Sequence, residues 1–283
     1  MQSTAQQESV QGLRRQQQQK NNETKAELQI DGAEHYLFKG VIGGNYMSPI
    51  KANNMKKCLE VGFGCGIWMM EMASEFPECQ FYGIDLNPKT PENTYPDNCN
   101  FLKGDFTDGL PYPDETFDLV HVKSLLMYKP VEHVHKLLKE IYRVTKKGGY
   151  FEYKEPLRIK NAGPILNMVQ EGWDIFLKEQ KIDKDLVLSL DRVLLQQGWK
   201  DAALTTHLIS VGESEDSASN MFYESWKKFS ETFSDIFTTL IEFPRKEEFK
   251  KLARNDLEPE CKKFKTGVEI AVGFATKRPI STN

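Results

Sequence analysis

The chain has 283 residues, with 37 basic and 41 acidic side chains and a formal net charge of −4. Its hydrophobic content of 39% is that of a globular protein, with room for one large α/β domain or two smaller ones. The slight acidity argues against a broad nucleic-acid-binding surface. No apolar run approaches the roughly 18 residues that span a bilayer, so we expect neither nucleic acid nor membrane as a partner.

The first ten residues lack the charged start and the apolar block of a secretory signal. The five cysteines are odd in number and scattered, and they form no Cys-x-x-Cys pair. This pattern argues against a disulfide framework and against a zinc site, so no metal is expected. Reduced thiols are typical of the cell interior. We therefore expect an intracellular, cytoplasmic protein, with a nuclear location left open.

Residues 1–26 are rich in glutamine and poor in aliphatic side chains, which predicts a disordered tail. From residue 56 onward, short apolar runs alternate with helical patterns, which predicts a parallel sheet with right-handed crossovers. The predicted strands lie at 57–61, 80–84, 100–103, 117–122, 150–153, 201–211 and 268–276. The predicted helices lie at 67–76, 131–145, 164–180 and 184–197.

The helix over 131–145 is expected to close at residues 146–149, with lysines in its last turn and glycine as the left-handed cap. Residues 216–263 also have a helical composition, broken at Pro244. This segment is longer than an ordinary loop and predicts a helical cap over the site. Its aromatic side chains at 222–237 are interpreted mainly as core, with an apolar substrate pocket or a partner groove as the alternative.

The residues that carry chemistry lie at 60–66, where the first strand ends and the first helix begins. The three glycines there let the backbone turn sharply and let a ligand approach without meeting a Cβ. The helix N-terminus adds free N–H groups. Asp85 ends the second strand, where a carboxylate can accept both hydroxyls of a ribose, and Asp105 ends the third, where it can accept from an adenine amino group. These strand ends are neighbours at the carboxyl edge, where open α/β sheets bind ligands.

Two nucleoside-binding chemistries fit a glycine loop followed by an acid. A dinucleotide fold needs Gly-x-Gly-x-x-Gly, but its third glycine position is occupied by Ile67. The spacing is Gly-x-Gly-x-Gly, with Glu60 two residues before the first glycine, and this acid would be unfavourable beside a pyrophosphate. S-adenosylmethionine has no phosphate and carries a cationic amino group and a cationic sulfonium. The sequence therefore favours this compound over a nicotinamide dinucleotide.

At these residues the chain resembles the class I S-adenosylmethionine-dependent methyltransferases, and within them the fungal TAM-domain group that includes velvet-associated regulators of secondary metabolism. The similar stretches are 59–68, 83–88, 113–125 and 138–152, with a weaker one at 35–49. The resemblance departs from the usual pattern at Thr145-Lys146-Lys147 and at Phe63. It is good over about 35–160 and thin beyond 211.

The resemblance implies an α/β fold of the doubly wound, Rossmann-like type. We expect a mostly parallel seven-stranded sheet with an antiparallel last strand and a helical insertion before that strand. The domain would occupy 27–283, with its core at 55–160 and the helical cap at about 212–263. The implied cofactor, S-adenosyl-L-methionine, would be bound by Glu60, Gly62, Gly64, Gly66, Asp85, Leu86, Asp105, Phe106 and His121.

The resemblance also implies which part of the cofactor each of these residues would contact. Glu60 and the glycines would hold the methionine end, and Asp85 would bind the ribose. Leu86 would lie under the adenine, which Asp105 and Phe106 would frame. His121 and the residues after it would line the methyl end.

The implied activity is methyl transfer from S-adenosylmethionine to an unidentified acceptor, which we expect to be a small molecule. The leaving sulfide is neutral, so a dedicated catalytic residue is not required. His121 is the sharpest candidate for a base, although a hydrogen-bonded histidine that shapes the pocket is the more heavily weighted interpretation. The rival function is a cofactor-binding regulatory protein of the same fold that acts in a complex with a protein partner.

Overall fold

The computed structural model describes residues 31–89, 95–211, 213, 220, 222–227, 234 and 246–278. The predicted tail at 1–26, the predicted break at Pro244 and part of the aromatic stretch at 222–237 lie outside these residues. No helix in the described part of the chain combines the length and the apolar character that crossing a membrane requires.

Seven strands form one sheet in the order β3-β2-β1-β4-β5-β7-β6. They are β1 (Lys57–Val61), β2 (Gln80–Asp85), β3 (Cys99–Lys103), β4 (Phe117–Lys123), β5 (Thr145–Lys160), β6 (Trp199–Ser210) and β7 (Gly267–Lys277). The strands β1 to β5 pair in parallel, and β7 runs antiparallel to both β5 and β6. The predicted mostly parallel sheet with an antiparallel last strand is therefore confirmed. The strand order reverses between β1 and β4, which is where such sheets bind ligands.

Seven helices accompany the sheet in the described residues. They are α1 (31–42), α2 (Ile67–Glu75), α3 (Val131–Val144), α4 (Pro164–Glu179), α5 (Leu190–Gln196), α6 (Lys246–Asn255) and α7 (Leu257–Phe264). A further helical stretch covers 222–227. This stretch, α6 and α7 all come between β6 and β7, where the helical insertion was predicted.

The two faces of the sheet bury different hydrophobic clusters, because successive side chains of a strand point to opposite faces. On one face, Leu59 and Val120 pack with the apolar side of α3, as the 3–4 spacing in its sequence predicted. On the other face, Cys58 and Leu119 pack with Trp68, Met69 and Met72 of α2. The central strands β1 and β4 are thus packed on both faces, and this packing fixes the positions of their carboxyl ends.

The predicted glycine cap of α3 is wrong, although the predicted end of the helix is within one residue of the observed one. The helix ends at Val144, and Thr145 is already extended, with φ −73° and ψ 135°. Thr145, whose β-branched side chain suits a strand, pairs with Phe117 and donates its hydroxyl hydrogen to the Ile141 carbonyl at 2.6 Å. Gly148, with φ 79°, therefore lies inside β5 at an irregularity of the β4–β5 register, and it does not cap a helix.

Gly83 of β2 is a point where the sheet tolerates no side chain. A Cβ there would lie 2.6 Å from the Phe63 ring and 2.5 Å from the Met69 sulfur. We expect Gly83→Ala to lower the free energy of unfolding by about 1–3 kcal/mol, because both neighbours are buried and must move. Urea denaturation of the two proteins measures the difference.

The matched control is Gly40→Ala, on α1, where a Cβ would meet nothing within 4 Å. Alanine suits a helix better than glycine, so this variant should gain about 0.5–1 kcal/mol. A Gly83→Ala protein as stable as the wild type would contradict the close packing of β2 against the loop that contains Phe63.

Candidate functional site

The loop between β1 and α2 has three glycines in a left-handed backbone conformation: Gly62, Gly64 and Gly66 have φ angles of 75°, 56° and 76°. A Cβ on Gly64 would lie 2.5 Å from a carboxylate oxygen of Asp31. A Cβ on Gly62 would lie 3.1 Å from the side chain of Leu125. Glycine is therefore required both for the turn and for the close approach of other groups, as the sequence predicted.

Asp85 is tied to this loop at the carboxyl end of β2. Its Oδ2 atom accepts a hydrogen bond from the Gly64 N–H at 2.9 Å, and its Oδ1 atom accepts one from the Asn87 N–H at 2.7 Å. The structure thus brings together the two motifs that lie about twenty residues apart in the sequence. It does so because β1 and β2 are parallel neighbours.

The loop, Asp85 and the end of β4 enclose a cavity of about 280 Å³, which we call the loop cavity. It is lined by Asp31, Glu34, Gly62, Gly64, Cys65, Asp85, Lys89, Lys123, Ser124 and Leu125. Lys123, Ser124 and Leu125, which follow His121 in the chain, form the part of the wall at the end of β4; that they line the methyl end of the cofactor stays a prediction. The wall is rich in charge, with three carboxylates and two lysines.

Sequence reasoning missed Asp31 and Glu34, which α1 contributes to the loop cavity. Asp31 accepts a hydrogen bond from the Cys65 N–H at 2.8 Å and forms an ion pair with Lys123. Burial alone would raise the pKa of Asp31 and lower that of Lys123, but their mutual attraction reverses both shifts. The signal in the sequence was two acids three residues apart, which share one face of a helix.

Glu60 and His121 face α2 from neighbouring positions of β1 and β4, with their side-chain atoms Oε1 and Nδ1 3.2 Å apart. Both are fully buried, and the His121 ring stacks on Trp68 at 3.9 Å between centroids. Burial raises the pKa of Glu60 well above its ordinary value. Burial, followed by the charges of Lys154 and Lys123, lowers the pKa of His121 well below its ordinary value. The pair therefore fits a protonated carboxyl that donates to a neutral ring.

Neither Glu60 nor His121 lines the loop cavity. The roles assigned to them stay predictions: Glu60 at the methionine end of the cofactor, and His121 at its methyl end and as a base. The residues alternate along β4, so that the side chain of His121 points into the packing with Trp68. The more heavily weighted interpretation, a hydrogen-bonded strand histidine, describes what the structure shows.

The predicted adenine residues also lie outside the lining of the loop cavity. Leu86 follows β2 with 53% of its surface exposed. Asp105 is exposed and accepts hydrogen bonds from the Thr107 N–H and hydroxyl at 2.8 and 2.7 Å. Phe106 is buried in the core beside α3. Gly66 likewise does not line the cavity, so the parts assigned to these four residues stay predictions.

Glu155 of β5 holds the turn that follows β4. Its buried carboxylate accepts hydrogen bonds from the backbone N–H groups of Leu125, Leu126 and Met127, at 3.0, 2.8 and 3.3 Å. Because Leu125 lines the loop cavity, this carboxylate fixes part of the wall from behind.

Glu152, on the same strand, anchors the segment after α1. Its carboxylate accepts from the Met47 and Ser48 N–H groups at 3.0 and 2.9 Å. Lys154 adds a hydrogen bond of 2.5 Å to the Asn45 carbonyl. These contacts tie the chain next to α1 to the centre of the sheet, and so help to place Asp31 and Glu34.

Residues 58–149 match the family described as methyltransferase domain. This match covers about a third of the chain. Similar proteins include methyltransferase str2 of Strobilurus tenacellus, which is 30% identical over 107 residues, or 38% of each of the two chains. They also include the secondary metabolism regulator laeA of Aspergillus fumigatus, 33% identical over 43% of this chain and 32% of the relative. The match thus spans well under half the length of these relatives.

Solved structures show the same fold. Phosphoethanolamine N-methyltransferase 2 of Haemonchus contortus superimposes with a TM-score of 0.51 at 15% identity, over 86% of this chain and 56% of that one. The protein YcgJ of Bacillus subtilis also gives a TM-score of 0.51, at 14% identity, over 86% of this chain and 99% of its own. The fold class predicted from the sequence is therefore confirmed.

Burial raises the pKa of the Glu155 carboxyl to about 7, although the three backbone N–H groups oppose the shift. The folded protein thus holds this proton more tightly than the unfolded chain. The stability that Glu155 contributes is complete below its ordinary pKa of 4.5 and is lost as the pH rises through 7. We expect the free energy of unfolding of the wild type to fall by about 3 kcal/mol more than that of Glu155→Gln between these limits.

Urea denaturation of both proteins at several pH values from 4 to 8 measures this difference. Glu78→Gln is the control, because Glu78 is an exposed carboxylate in a turn. Parallel stability curves for the wild type and Glu155→Gln would contradict the shift.

Proposed function

We propose that this protein binds S-adenosylmethionine in the loop cavity and transfers its methyl group to a small-molecule acceptor. The observation that carries the proposal is the glycine loop hydrogen-bonded to Asp85 at the edge of a cavity walled by carboxylates. The family match over 58–149 supports methyl transfer as the reaction class.

The residues of the loop cavity fit this compound. Asp31, Glu34 and Asp85 favour its cationic amino and sulfonium groups, and a carboxylate suits the two hydroxyls of a ribose. Lys123 and the N–H groups of the loop suit the carboxylate of its methionine end. A pyrophosphate would instead meet three carboxylates, so the wall argues against a dinucleotide. S-adenosylmethionine, when bound, supplies an electrophilic methyl group on a sulfur that leaves as a neutral sulfide.

The chain contributes mainly alignment. Well-oriented reacting pairs gain up to roughly 7–11 kcal/mol, and a base adds about 10²–10⁴-fold only where the acceptor atom carries a proton. The wall formed by Ser124 and Leu125 is fixed by the Glu155 carboxylate, and the loop is fixed by Asp85. These hydrogen bonds fix the two sides of the loop cavity relative to each other before the cofactor or the acceptor binds.

Asp85→Ala tests the cofactor site. We expect the variant to bind S-adenosylmethionine more weakly by about 1.5–3 kcal/mol, the range for a hydrogen bond to a charged group. Isothermal titration calorimetry with the full chain measures the affinity. The control is Asp97→Ala, which removes an exposed carboxylate from the turn before β3. Equal affinities of Asp85→Ala and the wild type would remove Asp85 from the site.

A second function is favoured by the names of several relatives, which are secondary metabolism regulators. The chain would then bind the cofactor and act in a complex with a protein partner. The five buried cysteines are free thiols, and reduced thiols are typical of proteins inside the cell.

Labelled S-adenosylmethionine incubated with cell extract separates the two functions. For an enzyme we expect a labelled small molecule that disappears with Gly64→Arg, because a side chain at this glycine would fill the loop cavity. Binding of the compound without any labelled product would favour the regulatory function.

A further inference from the structure

A second cavity, which we call the apolar cavity, lies beside the loop cavity and has a volume of about 170 Å³. Its wall includes Leu37, Phe38, Met127, Tyr128, Trp173 and Phe222. These residues come from α1, from the turn after β4, from α4 and from the helical stretch at 222–227. Glu34 lines both cavities, so the two spaces are neighbours at this residue.

The size of the apolar cavity limits its occupant. An apolar cavity of about 150 Å³ holds one benzene molecule. A single substituted ring is therefore of the right size for the apolar cavity.

The wall of the apolar cavity is aromatic on one side. Tyr128 and Trp173 meet edge to face, with ring centroids 5.9 Å apart, and Trp173 stacks on Phe176 at 5.2 Å. Flat rings pack well against such edges and faces. The wall therefore favours an aromatic occupant over an aliphatic one of similar volume.

Apart from Glu34, the charged side chains that line the apolar cavity form ion pairs. Arg158 forms an ion pair of 2.6 Å with Glu269, and Lys184 forms one of 2.7 Å with Asp174. A charged occupant would have to leave water without gaining a new counter-ion from these groups, which is costly. A neutral ligand avoids this cost.

Glu34 is the acidic group at the junction. Burial raises the pKa of its carboxyl above the ordinary value, and the Lys123 charge opposes this shift. The other ionisable groups that interact electrostatically with Glu34 are Asp31, Tyr128 and Glu155. A carboxylate in this position can accept a proton from a hydroxyl group that enters from the apolar cavity.

We propose that the acceptor is a neutral single-ring phenol, that its ring lies in the apolar cavity, and that Glu34 takes the hydroxyl proton. This inference rests on the proposed function. In the step, a bond forms from the phenol oxygen to the methyl carbon while the carbon–sulfur bond breaks, and its electron pair stays on sulfur. The proton moves to Glu34, so a sulfonium and a carboxylate become a neutral sulfide and a neutral acid.

Phenol itself is the probe for the ring site. Calorimetry with the full chain, without S-adenosylmethionine, should show that phenol binds at least tenfold more tightly than benzoate, which has the same ring and a negative charge. Leu37→Trp should weaken phenol binding at least tenfold, because the larger side chain occupies the apolar cavity. Tyr36→Trp is the matched control, since Tyr36 precedes Leu37 on α1 but is exposed. Equal binding of benzoate, or no effect of Leu37→Trp, would overturn the assignment.

Transfer of labelled methyl to phenol tests Glu34. We expect Glu34→Gln to slow the transfer at least a hundredfold while phenol affinity changes less than threefold. The rate of the wild type should also rise with pH as Glu34 ionises, and the variant should lose this rise. A merely structural residue would not change the pH profile, and an unchanged rate in Glu34→Gln would exclude it as the base.

The binding of S-adenosylmethionine, measured separately without phenol, distinguishes failure of the phenol inference from failure of the proposed function. If it binds and phenol does not, the phenol inference fails and the proposed function stands. If phenol binds and S-adenosylmethionine does not, the proposed function and the transfer step fail, and only the assignment of the apolar cavity to a neutral ring is supported.

Discussion

Two successive N–H groups of the glycine loop each donate to a carboxylate, and the arrangement of the site depends on these two hydrogen bonds. The Gly64 N–H donates to Asp85, and the Cys65 N–H donates to Asp31. One carboxylate comes from the end of β2 and the other from α1, so the loop is held between two parts of the chain that are distant in sequence. Hydrogen bonds to a charged acceptor contribute about 1.5–3 kcal/mol each, which is enough to keep a glycine-rich backbone in one conformation.

The face of the sheet beneath α2 is unusual because it buries ionisable groups. Glu60, His121, Glu152 and Lys154 all lie there, almost or fully inaccessible to water. Burying an ion is costly unless it is paired or hydrogen-bonded. Glu152 meets this requirement with backbone N–H groups, and Lys154 with a backbone carbonyl, whereas Glu60 and His121 are favoured in their neutral forms. The same polar contacts attach the segment after α1 to the sheet.

The parts of the site that could be predicted follow from the rules of parallel sheets. The glycine loop and Asp85 meet because β1 and β2 are neighbours with the same direction, and both of these facts are visible in the sequence. The sequence showed that His121 lies near a strand end, but it did not show which face of the sheet its side chain occupies. The side chain packs against Trp68, and this packing decides the face. Because β4 is apolar on both faces, its sequence pattern does not reveal which face His121 occupies.

Asp31 and Glu34 could not be predicted for a different reason. They lie about thirty residues before the loop, and their place depends on long-range contacts of Glu152 and Lys154 with the segment after α1. A cap for α3 was predicted at two glycines, because glycine often follows the end of a helix. Thr145 starts a strand first, so local helix signals were overridden by pairing with β4.

The long strand β5 contributes residues to the surroundings of both cavities. This strand has 16 residues and continues past the end of β4, so that Glu155 supports the turn at the loop cavity and Arg158 lies at the apolar cavity. Side chains alternate along a strand, so inserting one residue before Glu155 would exchange the faces of everything after it. Such an insertion would displace both Glu155, which supports the loop cavity, and Arg158, which lines the apolar cavity. The relative position of the two cavities therefore depends on one continuous strand.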